Sequence, residues 1–256
     1  MAKVNVFGQP LWLKKKVLQG LRHYCRRRVL NAHELEVIGA EQLRDLPESG
    51  VLFIANHQTV CTDVIAMYYT MIDTLNDSAR RLKNPKLNLY YVAARESMQK
   101  GLLLRIFTMA GAVLVDRTWR KGADSVERPI QAKDLEAIGM AVNDGWVMTF
   151  PQGTTRPGAP VRKGTAHLIK EHGPIVVPVR VEGFNKAFDK SGLKTIDPDV
   201  ALSIEFGTPL LIDADASVES LTALVANAIG EPHETEERGI EGIDLTLDPP
   251  TQILAS

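Results

Sequence analysis

His57 and Asp63 lie six positions apart in the sequence, directly after an apolar run at residues 51–55. On a continuous helix six residues turn through roughly 600°, which would put the two side chains on different faces. His57 is therefore expected in a loop, and Asp63 near the first turn of the next helix. The carboxylate can then hold one imidazole nitrogen as N–H, while the other takes a proton from a substrate hydroxyl. Such a pair is half of a catalytic triad, although His–Asp pairs are more often only structural hydrogen bonds.

Three further polar clusters follow or occupy apolar runs later in the chain. Arg117, next to Asp116, suits a phosphate because a guanidinium donates to two oxygens at once, but it equally suits a surface ion pair. The loop at 152–156 offers hydroxyls, N–H groups and an arginine, which can bind an oxyanion or phosphate or simply form a polar turn. Residues 175–183 have the pattern of a buried strand, in which Pro178 favours a sheet edge or a bulge.

Alternating strand and helix patterns predict one α/β domain. Strands are predicted at 34–38, 51–55, 89–93, 112–115, 146–150, 175–181 and 201–206. Helices are predicted at 10–30, 60–76, 97–109, 130–143, 165–172 and 217–229. The expected fold is a mixed, largely parallel central sheet covered by helices on both faces. In such sheets functional groups collect beyond the strand ends, where Asn56-His57, Asp116-Arg117 and Gln152-Gly153-Thr154 fall.

Length and composition limit the alternatives. The chain has 256 residues, of which 45% are hydrophobic and 24% charged, so one sizeable globular domain is expected and disorder of the whole chain is excluded. The two cysteines, Cys25 and Cys61, exclude a disulfide framework and show no zinc spacing, which favours a reducing compartment. We divide the chain into a basic helical segment at 1–33, a domain at 34–230 and an acidic, disordered tail at 231–256.

The first 33 residues carry eight Lys or Arg and no acid. A helix over 10–30 would gather its apolar residues in one stripe. That stripe comprises Leu11, Val17, Leu18, Leu21, Tyr24, Cys25 and Val29. Such a helix can lie in a membrane interface and attract anionic headgroups, or it can pack on the domain with its basic face in solvent. Because no apolar run is long enough to span a bilayer and no signal peptide is visible, we expect a cytoplasmic protein, peripheral on the inner face of the cell membrane.

Taken in order, the four clusters resemble motifs I to IV of the glycerolipid acyltransferases, the 1-acylglycerol-3-phosphate acyltransferase family. The usual forms of these motifs are NHxxxxD, GxIFIDR, FPEGTR and a Val-Pro-Val strand. The corresponding segments here are 56–63, 111–117, 150–156 and 177–179. The resemblance covers roughly residues 34–210, most of the chain, and implies that family's α/β fold.

The resemblance also implies transfer of a fatty acyl group to a lysophospholipid hydroxyl, with 1-acylglycerol-3-phosphate as the first candidate. His57 would deprotonate the hydroxyl and Asp63 would orient His57, so that the hydroxyl attacks the thioester of acyl-CoA or acyl-ACP. Arg117 would bind the acceptor's phosphate, and the helix at 97–109 would border the acyl channel or belong to the core. The matched positions expected to bind substrate are Asn56, Arg117, Gln152, Gly153, Thr154, Arg156 and Lys163. No metal, cofactor or nucleic-acid partner is expected.

Three departures from the family pattern favour a divergent member. Five residues separate His57 from Asp63, where the family usually has four, so the extra residue must bulge. Gln152 replaces the usual Glu, and Thr155 takes the usual Arg position. These departures keep two alternatives open: acyl transfer to another acceptor, such as an amino lipid or a pigment hydroxyl, and a catalytically silent lipid-binding scaffold. A Cys61 acyl-enzyme is the less favoured mechanism, since a buried helix cysteine is commoner.

Overall fold

The computed structural model describes residues 4–75, 88–99, 102–116 and 132–232. Within these ranges seven strands form one sheet. The strands are β1 (Leu35–Ile38), β2 (Val51–Ala55), β3 (Leu89–Ala94), β4 (Ala112–Val115), β5 (Trp146–Thr149), β6 (Ile175–Glu182) and β7 (Leu202–Phe206). The helices are α1 (Leu11–Cys25), α2 (Thr62–Leu75), α3 (Arg95–Met98), α4 (Leu102–Thr108), α5 (Ala132–Asp144), α6 (Gly164–His172), α7 (Phe184–Ala187) and α8 (Val218–Ile229). Helix α1 continues as a π-helix at Arg26–Leu30, and a 3-10 helix covers Ala40–Asp45.

The spatial order of the strands is β1-β7-β6-β2-β5-β3-β4. Every neighbouring pair is parallel except β6 with β7, which is antiparallel. The predicted mixed, largely parallel sheet is therefore confirmed. Because β2 to β6 run in one direction, their carboxyl ends meet at a single edge, and the polar clusters after β2, β4 and β5 are brought to that edge.

Helices cover both faces of the sheet, and alternate residues of each strand point to opposite faces. On one face Phe53 and Trp146 pack with α1 and α2. On the other, Leu52, Ile54 and Val147 pack with α5, α6 and α8. This double coverage explains why β2 and β5 consist entirely of buried residues, since a parallel sheet needs an apolar layer on each side.

The apolar stripe of α1 packs on the domain. Cys25 and Val29 are fully buried, and the same core cluster is contacted by Val17, Leu18, Leu21 and Tyr24. Helix α1 lies against α2, while residues 26–28, three consecutive arginines, are exposed. Of the two arrangements that the sequence allows, the structure has the packed helix with a solvated basic face.

Two local predictions need correction. The helix predicted at 97–109 is divided into α3 and α4, and Pro178 lies in an interior strand rather than at an edge or bulge. Pairing of β6 with β7 begins only at Val179, and the Pro178 carbonyl accepts the N–H of Gly207, past the end of β7, at 2.9 Å. The N–H and C=O of one strand residue point to the same side of the strand. The side on which Pro178 lacks an N–H therefore faces Gly207, outside the paired residues of β6 and β7.

Candidate active site

Strand β2 delivers His57 to the carboxyl edge of the sheet, and Asn56 fixes the position of that strand end. The Asn56 amide donates to the Val181 carbonyl at 3.0 Å and accepts the Val181 N–H at 2.8 Å. These two bonds tie the end of β2 to the neighbouring strand β6. Asn56 therefore positions His57, whereas its predicted contact with substrate stays a prediction.

The imidazole of His57 is hydrogen-bonded to Asp63. The distance from His57 Nδ1 to Asp63 Oδ2 is 3.0 Å, with His57 in a loop and Asp63 in the first turn of α2, as expected from their spacing. The five intervening residues thus preserve the pair in spite of the longer gap. The carboxylate is fully buried, while 15% of the His57 side chain is exposed. Since Nδ1 is committed to Asp63, Nε2 is the nitrogen that can exchange a proton with a substrate.

Thr59 holds the Asp63 carboxylate in place. Asp63 Oδ2 accepts the N–H groups of Gln58 and Thr59 at 2.7 and 3.1 Å, and Oδ1 accepts the Thr59 hydroxyl at 3.0 Å. The Thr59 hydroxyl in turn accepts the N–H groups of Thr62 and Asp63, as a residue that caps a helix N-terminus does. The loop and the helix start therefore form one bonded unit around the carboxylate.

These surroundings decide the ionisation of Asp63. Burial by itself would raise the pKa of the carboxyl group, because the charged form loses its hydration. The charge and hydrogen bond of His57, together with the N–H groups of Gln58 and Thr59, outweigh that effect and lower the pKa below its ordinary value. Asp63 is thus a carboxylate at neutral pH, which can hold the Nδ1 proton and stabilise an imidazolium.

A turn at residues 189–195 supports the same loop from outside. The Thr62 hydroxyl donates to the Gly192 carbonyl, and the Val60 N–H donates to the Lys190 carbonyl at 3.1 Å. Gly192 has a φ of 78°, and a Cβ atom there would lie 2.7 Å from the Thr62 hydroxyl and 3.0 Å from that of Thr59. Only glycine fits this close approach, so the turn is shaped to the His57–Asp63 loop.

Phe150 stacks on the imidazole. The two ring centroids are 4.1 Å apart, and the rings are inclined by 24°. Phe150 directly follows β5, the neighbour of β2, so the topology of the sheet sets the two rings face to face. Its part was missed in the sequence, where it reads only as the first residue of a motif. The stack restricts rotation of the His57 ring and shields one of its faces from water.

Comparison with known proteins identifies the family of this chain. The family model described as Acyltransferase matches residues 34–182, which is more than half of the chain and includes His57, Asp63 and Phe150. The chain belongs to the acyltransferase family. The crystal structure of the 1-acyl-sn-glycerophosphate (LPA) acyltransferase PlsC from Thermotoga maritima is similar in fold, with a TM-score of 0.55 and 15% identity. That match covers 84% of this acyltransferase and 78% of PlsC, while no curated protein matches the chain.

Hydrogen bonds hold the loop after β5, which follows the Phe150 ring stacked on His57 in this acyltransferase. The buried Gln152 amide donates to the Ala159 carbonyl at 2.8 Å, and the Arg162 N–H donates to the Pro151 carbonyl at 3.1 Å. The loop is also held by the Val161 N–H, which donates to the Pro232 carbonyl at 2.7 Å. Gln152 thus uses the donor that a glutamate would lack to close the loop, and its predicted substrate contact stays a prediction.

The other predicted substrate residues of the acyltransferase differ in their surroundings. Gly153 and Arg156 are exposed, and the Thr154 hydroxyl accepts the Arg156 N–H at 3.3 Å. Lys163 forms an ion pair with Glu219 of α8 at 3.1 Å. Arg117, the predicted phosphate ligand, and the tail at 233–256 lie outside the described residues.

Among the described residues, two basic groups that were not predicted, Arg95 and Lys133, lie at the end of β4. The Arg95 guanidinium donates to Asp116 at 3.1 Å, and Lys133 donates to the other oxygen of Asp116 at 2.9 Å. Lys133, and then Arg95, lower the pKa of the Asp116 carboxyl group below its ordinary value. Asp116, which the sequence suggested as the ion-pair partner of Arg117, is therefore bonded to Arg95 and Lys133 in this acyltransferase.

Behind the His57–Asp63 loop lies an apolar cavity. Its lining comprises Leu21, Val60, Cys61, Val64, Ile65, Tyr68, Tyr91, Met98, Phe107 and Ala110. Burial, followed by the nearby carboxylates of Asp63 and Asp189, raises the pKa of the Cys61 thiol to about 12. A thiolate is the nucleophile in cysteine catalysis, so this pKa argues against a Cys61 acyl-enzyme. Cys61 serves as part of the apolar lining.

Proposed function

We propose that this acyltransferase transfers a fatty acyl group from acyl-CoA or acyl-ACP to a hydroxyl of a lysophospholipid, with 1-acylglycerol-3-phosphate as the preferred acceptor. The observation that carries the proposal is the 3.0 Å bond between His57 Nδ1 and the buried Asp63 carboxylate. It leaves Nε2 of a partly exposed ring available as a general base.

In the proposed reaction Nε2 of His57 takes the proton of the acceptor hydroxyl as its oxygen attacks the thioester carbonyl. The new carbon–oxygen bond gives a tetrahedral intermediate, and the carbon–sulfur bond then breaks. The imidazolium returns its proton to the leaving thiolate, so the products are the ester and the free thiol. Asp63 stays ionised throughout and stabilises the imidazolium.

A phosphate-bearing acceptor is supported by the order of the family motifs and by the fold shared with PlsC. A different acceptor, an amino lipid or a pigment hydroxyl, is the second candidate, and specific observations favour it. Lys163 is paired with Glu219, and Thr155 stands where the family usually has arginine. Two cations expected to gather at a phosphate are therefore displaced or engaged elsewhere.

The test measures ester formation by mass spectrometry, with acyl-CoA and acyl-ACP offered to lysophosphatidate and to an amino lysolipid. Lysophosphatidate is expected to be acylated faster, and His57→Ala is expected to lower kcat/KM by ~10³-fold or more. His167→Ala removes an exposed histidine of α6 and serves as the matched control. Activity that survives in His57→Ala would contradict the mechanism, and preference for the amino lysolipid would favour the second acceptor.

We further propose peripheral binding to the inner face of the cell membrane through the N-terminal segment. In the described ranges no helix is long and apolar enough to cross a bilayer. Since the stripe of α1 is packed inward, the exposed groups that suit a lipid surface are Trp12, which is 61% exposed, and residues 26–28. Trp12→Ala is expected to weaken salt-sensitive binding to anionic vesicles, and unchanged binding would contradict this surface.

A further inference from the structure

Glu231 lies just after helix α8, and backbone hydrogen bonds fix its position. The helix is capped by Gly230 in the left-handed conformation, with a φ of 72°, and the Glu231 N–H donates back to the Ala226 carbonyl at 3.0 Å. The carbonyl of the next residue, Pro232, accepts the Val161 N–H at 2.7 Å. The Glu231 side chain therefore extends from a fixed backbone beside the loop after β5.

Two polar groups of that loop interact with the Glu231 carboxyl group. They are the side-chain amide of Gln152 and the N–H of Gly158. Partial burial raises the pKa of Glu231 above its ordinary value of 4.5, while donation from Gln152 and Gly158 opposes this rise. The carboxylate has thus lost part of its hydration, and the two donors of the loop compensate for that loss.

The Gln152 amide lies between two oxygen acceptors. The side chain is buried, and its nitrogen donates to the Ala159 carbonyl at 2.8 Å. An amide nitrogen carries two hydrogens, so Gln152 can donate to Ala159 and to Glu231 together. A glutamate, the usual residue at this place in the family motif, would offer no hydrogen and would bring a second negative charge beside Glu231. The negative charge that the motif usually has at 152 is therefore carried here by Glu231.

The loop that Gln152 closes also carries Phe150. The Phe150 carbonyl accepts the Gly153 N–H at 2.9 Å, and the Phe150 ring lies on the His57 imidazole with centroids 4.1 Å apart. A shift of the loop would therefore move the ring that restrains His57. Misplacement of a catalytic group by ~1 Å can cost ~10²-fold in rate.

We propose that Glu231 is a positioning residue of the active site that acts through Gln152. The two side chains together replace the glutamate of the family motif and hold the loop that presents Phe150 to His57. Glu231 lies outside residues 34–182, the part that matches the family model, so the motif and its support come from separate parts of the chain. The effect on turnover rests on the proposed acyl transfer, in which Glu231 exchanges no proton and forms no bond to substrate.

The first test removes the carboxylate. Glu231→Ala leaves one hydrogen of the buried Gln152 amide without its acceptor, and kcat should fall about tenfold, as loss of a hydrogen bond to a charged group allows. The KM for the acyl donor should stay nearly unchanged, and Glu231→Gln, which keeps an accepting oxygen, should retain most of the activity. Glu205→Ala is the matched control, because it removes an exposed glutamate of β7, which two strands separate from β5. Equal kcat in Glu231→Ala and Glu205→Ala would overturn the proposal.

The second test exchanges the charge between the two positions. Gln152→Glu sets two carboxylates side by side and should lower kcat/KM by ~10²-fold. Adding Glu231→Gln should recover about tenfold, because the new amide can donate to the new carboxylate. Adding Glu205→Gln instead removes the same charge elsewhere and should recover nothing. Equal recovery in the two double variants, or recovery in neither, would count against the pair.

Nuclear magnetic resonance of the imidazole separates this inference from the proposed function. In protein with isotope-labelled histidine, the ring protons of His57, assigned by their absence in His57→Ala, should be shifted upfield by the stacked Phe150 ring. The shift should shrink in Glu231→Ala and Gln152→Glu and return in Gln152→Glu/Glu231→Gln, whether or not any acceptor is acylated. His57 resonances that stay unchanged in both single variants would overturn the inference. Changed resonances in a protein that acylates no acceptor would count against the proposed function alone.

Discussion

The two ends of the central sheet each bury a network of polar side chains around a titratable group. The carboxyl-end network joins His57, Thr59 and Asp63 beyond β2. The amino-end network joins Lys14 of α1 to Asn88, Tyr90 and Asp144, which lie at the starts of β3 and β5. Both contain a buried carboxylate or ammonium group with several polar neighbours.

The polar groups of the amino-end network are hydrogen-bonded to one another. The Lys14 ammonium donates to the Asn88 side chain and lies 3.9 Å from the centre of the Tyr90 ring. Asn88 and the Tyr90 hydroxyl both donate to Asp144. Burial lowers the pKa of Lys14 to about 7, an effect that the charge of Asp144 only partly opposes.

The difference between the two networks lies in exposure. Lys14 is 3% exposed, whereas 15% of the His57 side chain is exposed and its Nε2 is left uncommitted by the bond to Asp63. A group that must exchange protons with a substrate needs an accessible atom, and a group that only joins two elements does not. We therefore propose that the chemistry takes place at the carboxyl end and that the amino-end network docks α1 on the domain.

The largest effect on kcat/KM is expected from Asp63→Asn, which tests the role of the carboxyl-end network. The amide cannot hold the Nδ1 proton of His57 as the carboxylate does, so kcat/KM should fall by ~10³- to 10⁴-fold. The comparison variant is Lys14→Met at the other end of the sheet, for which kcat/KM should be unchanged. Steady-state kinetics with circular dichroism as a folding check measures both, and equal losses in the two variants would contradict the assignment.

A smaller effect is expected from Gly192→Ala, which pushes a methyl group against Thr62 and Thr59. The loop must shift by a fraction of an ångström, and misplacement of this kind can cost up to ~10²-fold in rate. Gly50→Ala is the matched control, because it has a similar φ of 79° but open space around the added Cβ. Both should lose about 1–3 kcal/mol of stability from backbone strain, but only Gly192→Ala should lose activity. Unfolding in urea and kcat/KM are the two measurements.

The smallest effect concerns pH and the amino-end network. Between about 7, the pKa of Lys14 in the folded protein, and its ordinary value of 10.5, the unfolded chain binds this proton more often than the folded one. The free energy of unfolding should therefore rise with pH in this window, by at most about 1.4 kcal/mol per unit, and level off below it. Lys14→Met should flatten the rise.

Urea unfolding of both proteins at about pH 7 and about pH 9 measures that difference in slope. Tyr90 does not titrate in this pH window, because burial and the neighbouring Asp144 raise its pKa above the ordinary value of 10.0. Identical slopes in the wild type and Lys14→Met would show that Lys14 is not the group that couples pH to stability.

Local patterns in the sequence were enough to place most of the fold. The seven strands and the longer helices lie within a few residues of their predicted positions, because parallel strands buried on both faces are continuous apolar runs. Two short elements, the 3-10 helix at Ala40–Asp45 and helix α7, were missed. Their six and four residues are too few to show a helical period in the sequence. The prediction of a single helix over 97–109 passed over Gln99-Lys100-Gly101, a polar stretch with a glycine that favours a break.

The sequence by itself determined the chemical groups of the site, their order and the need for a loop between His57 and Asp63, because these follow from residue types and helix geometry. Tertiary structure alone decided that the longer gap still closes to 3.0 Å, that Phe150 stacks on His57, and that Gly192 braces the loop. These contacts join residues remote in the chain, and their distances are set by strand order and packing. No local pattern encodes them.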